Sequence, residues 1–141
     1  MTLEEKQQEI IDEFSMFEDW MDKYNYLIEL SKDLPDMEAG KKVPENLIEG
    51  CQSKVWLHAE IQDGKLVFQA DSDAIITKGI VALLVRVLSG KKPSEIKNAD
   101  LHFIDDIGLK ENLSPTRSNG LVAMVNKIKA YALAYDAKMK Q

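Results

Sequence analysis

From Val55 to Gln62 apolar and polar residues alternate, Val55, Leu57, Ala59 and Ile61 on one side and Trp56, His58, Glu60 and Gln62 on the other. A period of two predicts a strand over residues 54–62 with one face on a core. Asp63-Gly64 is the dipeptide that a two-residue type I′ turn favours, so residues 65–70 are expected to return as the antiparallel partner. Asp71-Ser72-Asp73 then offers side chains to cap a helix over residues 74–88, in which only Lys78 and Arg86 are charged. A helix apolar nearly all round belongs at the centre, on the inner face of the hairpin. Gly90 suits its C′ position, and Lys91-Lys92 suit its negative end as a solvated pair.

The flanks read as helical. Thr2-Leu3-Glu4-Glu5 fits a capping box and opens a helix to about Phe14, with Leu3, Ile10, Ile11 and Phe14 on an uneven apolar face. Residues 15–18 break it, and a second helix runs over 18–33 until Pro35 ends it. Its stripe of Trp20, Tyr24, Leu27, Ile28 and Leu34 is expected to pack on the core. Residues 36–49 read as loop with one helical turn after Pro44, and Pro93 opens another short helix. A third short strand or extended segment is expected over 100–104, then irregular chain with a helical turn to Leu113. Ser114-Pro115 matches N-cap then N1 of a last helix reaching about Ala137, with Leu121, Met124, Val125, Ile128, Ala132 and Tyr135 buried. Helices, a hairpin and helices again predict an α+β fold, one domain over residues 1–141.

Composition narrows the function classes. A net charge of −6 argues against nucleic acid as the main ligand, because phosphate binding needs a basic surface. No apolar run approaches the ~20 residues that span a bilayer. The polar opening Met1-Thr2-Leu3-Glu4-Glu5 is unlike a signal peptide, and a cytoplasmic protein is expected. One cysteine forms no internal disulfide and builds no Cys-rich zinc or iron–sulfur site.

That cysteine, Cys51, stands in Gly50-Cys51-Gln52-Ser53 at the entrance to the first strand, where a loop thiol meets another protein more easily than a helical one does. A lone cysteine is also often a small buried hydrophobe. A Cys-dependent hydrolase would need a histidine beside it. His58 lies about 23 Å away along an extended strand, and His102 is unplaced. Capping accounts for Asp71 and Asp73, and solvated turns for Asp105 and Asp106, so no metal site is expected. No phosphate loop or dinucleotide fingerprint is present.

Four segments carry a resemblance. They are residues 20–35 (WMDKYNYLIELSKDLP), 50–57 (GCQSKVWL), 71–79 (DSDAIITKG) and 113–120 (LSPTRSNG). In this order they resemble the SufE family of sulfur-acceptor proteins over most of the chain. The resemblance implies an IscU-like α+β fold, a small antiparallel sheet packed against helices. It implies that Cys51 accepts persulfide sulfur from a pyridoxal-phosphate (PLP) cysteine desulfurase, SufS-like, and passes it to an iron–sulfur scaffold. The PLP belongs to that partner, and no cofactor or metal is expected in this chain. Gly50, Gln52, Ser53 and Arg117 are the expected supporting residues, with Arg117 as the cation that helps the thiolate form. A persulfide needs shelter, so the Cys51 side chain is expected to turn inward and to swing out on docking. A cluster scaffold of related fold stays open only if subunits share the ligands.

Overall fold

The alternation and the Asp-Gly pair act together in the computed structural model, which describes residues 1–140. Strand β1 (Val55–Gln62) pairs antiparallel with β2 (Lys65–Ser72), with Val55 opposite Ser72 and Gln62 opposite Lys65. Asp63 (φ 53°) and Gly64 (φ 77°) both take positive φ, as the I′ turn requires. Val55, Leu57 and Ala59 face inward with Leu66, Phe68 and Ala70, all buried.

That face lies on helix α3 (Ile75–Leu88), in which every residue from Gly79 to Val85 is buried. Against its other side pack α1 (Leu3–Phe14) and α2 (Trp20–Ser31). The capping box forms in full: the Glu5 amide donates to the Thr2 hydroxyl at 3.0 Å, and the Thr2 amide donates to the Glu5 carboxylate at 2.9 Å. Arg86, the charge at the far end of α3, binds Glu9 and Glu13 of α1, and the Tyr26 phenol donates to Glu13. The Arg86 guanidinium holds the Glu13 carboxyl below its usual range, while burial and the Glu13 charge push the Tyr26 phenol up to about 12. After two 3₁₀ turns (Ala39–Lys41 and Pro44–Asn46) and the hairpin come the short helices α4 (Pro93–Lys97), α5 (Phe103–Asp106) and α6 (Leu109–Asn112). The long α7 (Pro115–Met139) closes the molecule along α4, with Ser114 as its N-cap and Pro115 at N1.

Two sequence expectations fail. Residues 100–104 form no strand; the sheet among the described residues is β1 and β2 alone, and Phe103 begins α5. The backbone there finds its partner in a side chain instead. Gln7, fully buried on α1, donates through Nε2 to the Asp100 carbonyl and accepts the Phe103 amide through Oε1, both at 3.1 Å. Nor do Asp71 and Asp73 cap α3. Strand β2 runs on through Ser72, and the N-cap is Ala74, which offers no side-chain acceptor.

Both margins of the small sheet are occupied. Along β2, the Leu66 amide donates to the Lys91 carbonyl at 2.8 Å and the Phe68 amide to the Ser89 hydroxyl at 3.0 Å. Along β1, the Ile48 amide donates to the Val55 carbonyl at 2.9 Å. Tyr131 and Tyr135, one turn apart on α7, donate to the Leu57 and Ala59 carbonyls at 3.5 and 3.2 Å.

Candidate functional site

The Ile48 amide bond to Val55 pinches the chain together around residues 49–54, and Cys51 stands at the tip of the loop so made. Gly50 precedes it at φ 93°, a conformation that a Cβ disfavours. The other foot of the loop is Lys54, where the aspartate run does its work. The Lys54 amide donates to Asp73 Oδ1 at 3.0 Å, while its carbonyl accepts the Ser72 hydroxyl at 2.8 Å and the Asp73 amide at 3.2 Å. Asp71 binds Lys42 (2.5 Å) and Lys78 (3.3 Å). Burial alone would raise the Asp71 carboxyl, but Lys42, the Ser72 amide and Lys78 outweigh it and hold it below the usual range. Residues read as helix caps thus fasten the cysteine loop to the hairpin.

The half-buried Cys51 side chain turns into a cavity of about 330 Å³ between the first turns of α3 and α7. Thr77 and Ile80 line it from α3, and Arg117, Gly120 and Met124 from α7. The thiol donates to the Gly120 carbonyl at 3.6 Å, a weak bond to which Sγ is suited. The thiol lies directly over Gly120: a Cβ there would be in ordinary van der Waals contact with Sγ, at 3.5 Å. Burial pushes the Cys51 thiol above its ordinary range, and no cation offsets that in the free protein.

The supporting residues divide. Gln52, Ser53 and Arg117 share the cavity with Cys51, whereas Gly50 sits beside Ala123 of α7. Arg117 is exposed and donates to the Tyr24 phenol at 3.3 Å. Tyr24 in turn leans on Trp20, ring centroids 5.8 Å apart. The aromatic stripe of α2 is therefore only partly core: both rings are half-buried against it, and the Tyr24 hydroxyl reaches the rim of the site. Arg117 makes no ion pair among the described residues.

Neither histidine lines this cavity. His58 lies on the outward face of β1, and His102 is tied to Asp106 and Glu4, each at 2.6 Å. The Cys-His arrangement of a hydrolase is absent among the described residues. So is any cluster of three or more His, Cys, Asp or Glu side chains that could hold a metal.

Two contributors escaped the sequence reading. Thr77 sits in an apolar helical run and looks like core; Gly120 looks like a helix interruption. Only the pairing of α3 with α7 brings them to the thiol, although Gly120 belongs to the 113–120 segment that carried the family resemblance.

The architecture of a hairpin on helices is shared. A hypothetical protein from Thermus thermophilus, solved in solution, superposes with a TM-score of 0.75 over 92% of this chain and 94% of its own, at 22% identity. The chain belongs to the SufE family: the family model, described as an Fe-S metabolism associated domain, matches residues 8–132. An uncharacterised SufE-like protein of Rhizobium meliloti is 44% identical over 129 residues, 88% of this chain and 92% of that one. SufE-like protein 1 of Arabidopsis thaliana, labelled chloroplastic/mitochondrial, is 38% identical over 134 residues, 94% of this chain but 36% of the plant protein. Association with Fe-S metabolism follows from the family. No described helix is long and apolar enough to cross a membrane.

Proposed function

We propose that Cys51 receives one sulfur atom from a PLP-dependent cysteine desulfurase and hands it to an iron–sulfur scaffold, stimulating the desulfurase by relieving it of its persulfide. The observation that carries this reading is the placement of the chain's one thiol. It stands at a loop tip, reachable by a partner, yet its side chain turns into a cavity lined by hydroxyls and Arg117. In the transfer the Cys51 thiolate attacks the outer sulfur of the partner's persulfide. A new S–S bond forms, the partner's S–S bond breaks, and the partner's cysteine leaves as thiolate. The protein acts as an accessory: the C–S bond of free cysteine is broken by the desulfurase with its own PLP. Since burial keeps the Cys51 proton on in the free protein, docking must draw the thiol out or bring a cation to it. A single cysteine suits a relay in a reducing cytoplasm, because the loaded sulfur cannot be displaced by an internal disulfide.

Intact-mass measurement after incubation with a cysteine desulfurase and cysteine tests this. One added sulfur on the native chain and none on Cys51→Ser is the expected result. Stimulation of the desulfurase that survives in Cys51→Ser would show that the chain acts without carrying sulfur.

A further inference from the structure

The thiol itself uses one polar group, the Gly120 carbonyl. The cavity in front of it holds donors that the thiol does not use. Thr77 is the clearest: it is 7% exposed, lies in the first turn of α3, lines the cavity, and its hydroxyl makes no hydrogen bond to any described residue. The hydroxyl itself is reached by solvent, for Trp20 Nε1 is the one shut-in polar side-chain atom without a partner among the described residues, so Thr77 can donate to whatever enters the cavity. The surroundings have one electrostatic sign. Helix α3 starts there with no side chain capping its free amides, and α7 starts opposite. Both helix starts carry partial positive charge. Arg117 is the one charged side chain on the cavity wall; α3, the cysteine loop and the remainder of the α7 wall contribute none, and no carboxylate lines it.

An arrangement of donors with no anion is poorly matched to a neutral thiol bonded to a carbonyl. It is matched to what the thiol becomes. Adding a sulfur places a second sulfur about 2.0 Å further on, into the cavity. A hydropersulfide is a stronger acid than a thiol, so this outer sulfur is anionic near neutral pH. We infer that the Thr77 hydroxyl donates to the outer sulfur of a Cys51 persulfide held in this cavity. The inference rests on the reading of Cys51 as a sulfur acceptor, but it needs no partner to be tested.

Inorganic polysulfide loads the protein: the Cys51 thiolate takes a terminal sulfur, one S–S bond forms and one breaks, and a polysulfide shorter by one atom leaves. The pH dependence of alkylation is then followed by intact mass for loaded and unloaded protein. Thr77→Val keeps the shape of the side chain and removes the donor. It should raise the midpoint of the loaded form by about one pH unit, which is about a tenfold loss of anion at a given pH below it. Thr77→Ser should restore it. The unloaded thiol should titrate alike in all three, since Sγ is bonded to Gly120 instead. A loaded midpoint unmoved in the Val variant, or loaded and unloaded midpoints moved together, would overturn the assignment. Normal transfer from a desulfurase with an unmoved midpoint would remove Thr77 and leave the acceptor role. A Thr77 effect on polysulfide-loaded protein that no desulfurase can load would do the reverse.

Discussion

Gly79 of α3 passes directly beneath the backbone of Leu27 in α2: a Cβ on Gly79 would lie 2.4 Å from the Leu27 carbonyl oxygen and 3.0 Å from its carbonyl carbon. The two helices can be this close only where one has no side chain. Thr77 and Ile80, which flank Gly79, face the cysteine cavity, so the depth at which α3 sits also sets the wall of the site.

Gly79→Ala should therefore destabilise the fold by about 1–3 kcal/mol, because the obstacle is backbone and cannot rotate away. The gain in helix propensity, about 1 kcal/mol, works against this and keeps the figure modest. Urea unfolding measures it. A stability unchanged or increased would show that α2 moves aside freely.

Leu83, 1% exposed at the middle of α3, belongs to the hydrophobic core. Leu83→Ala should cost ~2–5 kcal/mol by the same measurement. A loss under about 0.5 kcal/mol would mean that this face of α3 is not the core.

Alkylation of free Cys51 should be slow and should have a midpoint above that of a small unhindered thiol, because burial disfavours the thiolate. A bound, catalytically inactive desulfurase should accelerate it as the loop comes out. Gly50→Val should blunt the acceleration: the residue sits at φ 93°, and its Cβ would meet the Ala123 methyl at 3.2 Å. Alkylation of the free native protein at the rate of a simple thiol would show that the loop is not closed.

His102 bridges α5 to α1, and the Asp106 and Glu4 carboxylates raise its pKa in the folded state. A raised folded pKa stabilises the protonated fold. This contribution is fully present below the unfolded value of about 6.5 and fades as the pH rises through the higher folded value. The Tm difference between native protein and His102→Gln should accordingly be larger at pH 5 than at pH 9, which lie below and above that value of about 6.5. A difference that does not change with pH would mean that the imidazolium contributes nothing through its charge.

What the sequence made legible was local or periodic. The hairpin could be read because alternation and Asp63-Gly64 agree, and α1 because Thr2 and Glu5 are three residues apart. Residues 100–104 misled because the partner of their backbone is Gln7, more than ninety residues away and ordinary in a helical sequence. Asp71-Ser72-Asp73 misled for a related reason: a carboxylate ahead of a helix looks the same whether it turns to the helix or to a loop. Cys51 was legible through its setting and through the family resemblance. Thr77 was not, since a hydroxyl on an apolar helix acquires a role only when another helix encloses it.

The tyrosine pair on α7 has a consequence for recognition. Many small sheets bind a partner by accepting a further strand along an open margin. Here the outward carbonyls of Val55, Leu57 and Ala59 are already spoken for, two of them by phenols. A partner strand would therefore find three of the acceptors along β1 already taken, which favours recognition by shape and side chains around the Cys51 loop. The same occupancy makes β1 a poorer template for edge-to-edge pairing between copies, because those acceptors are taken.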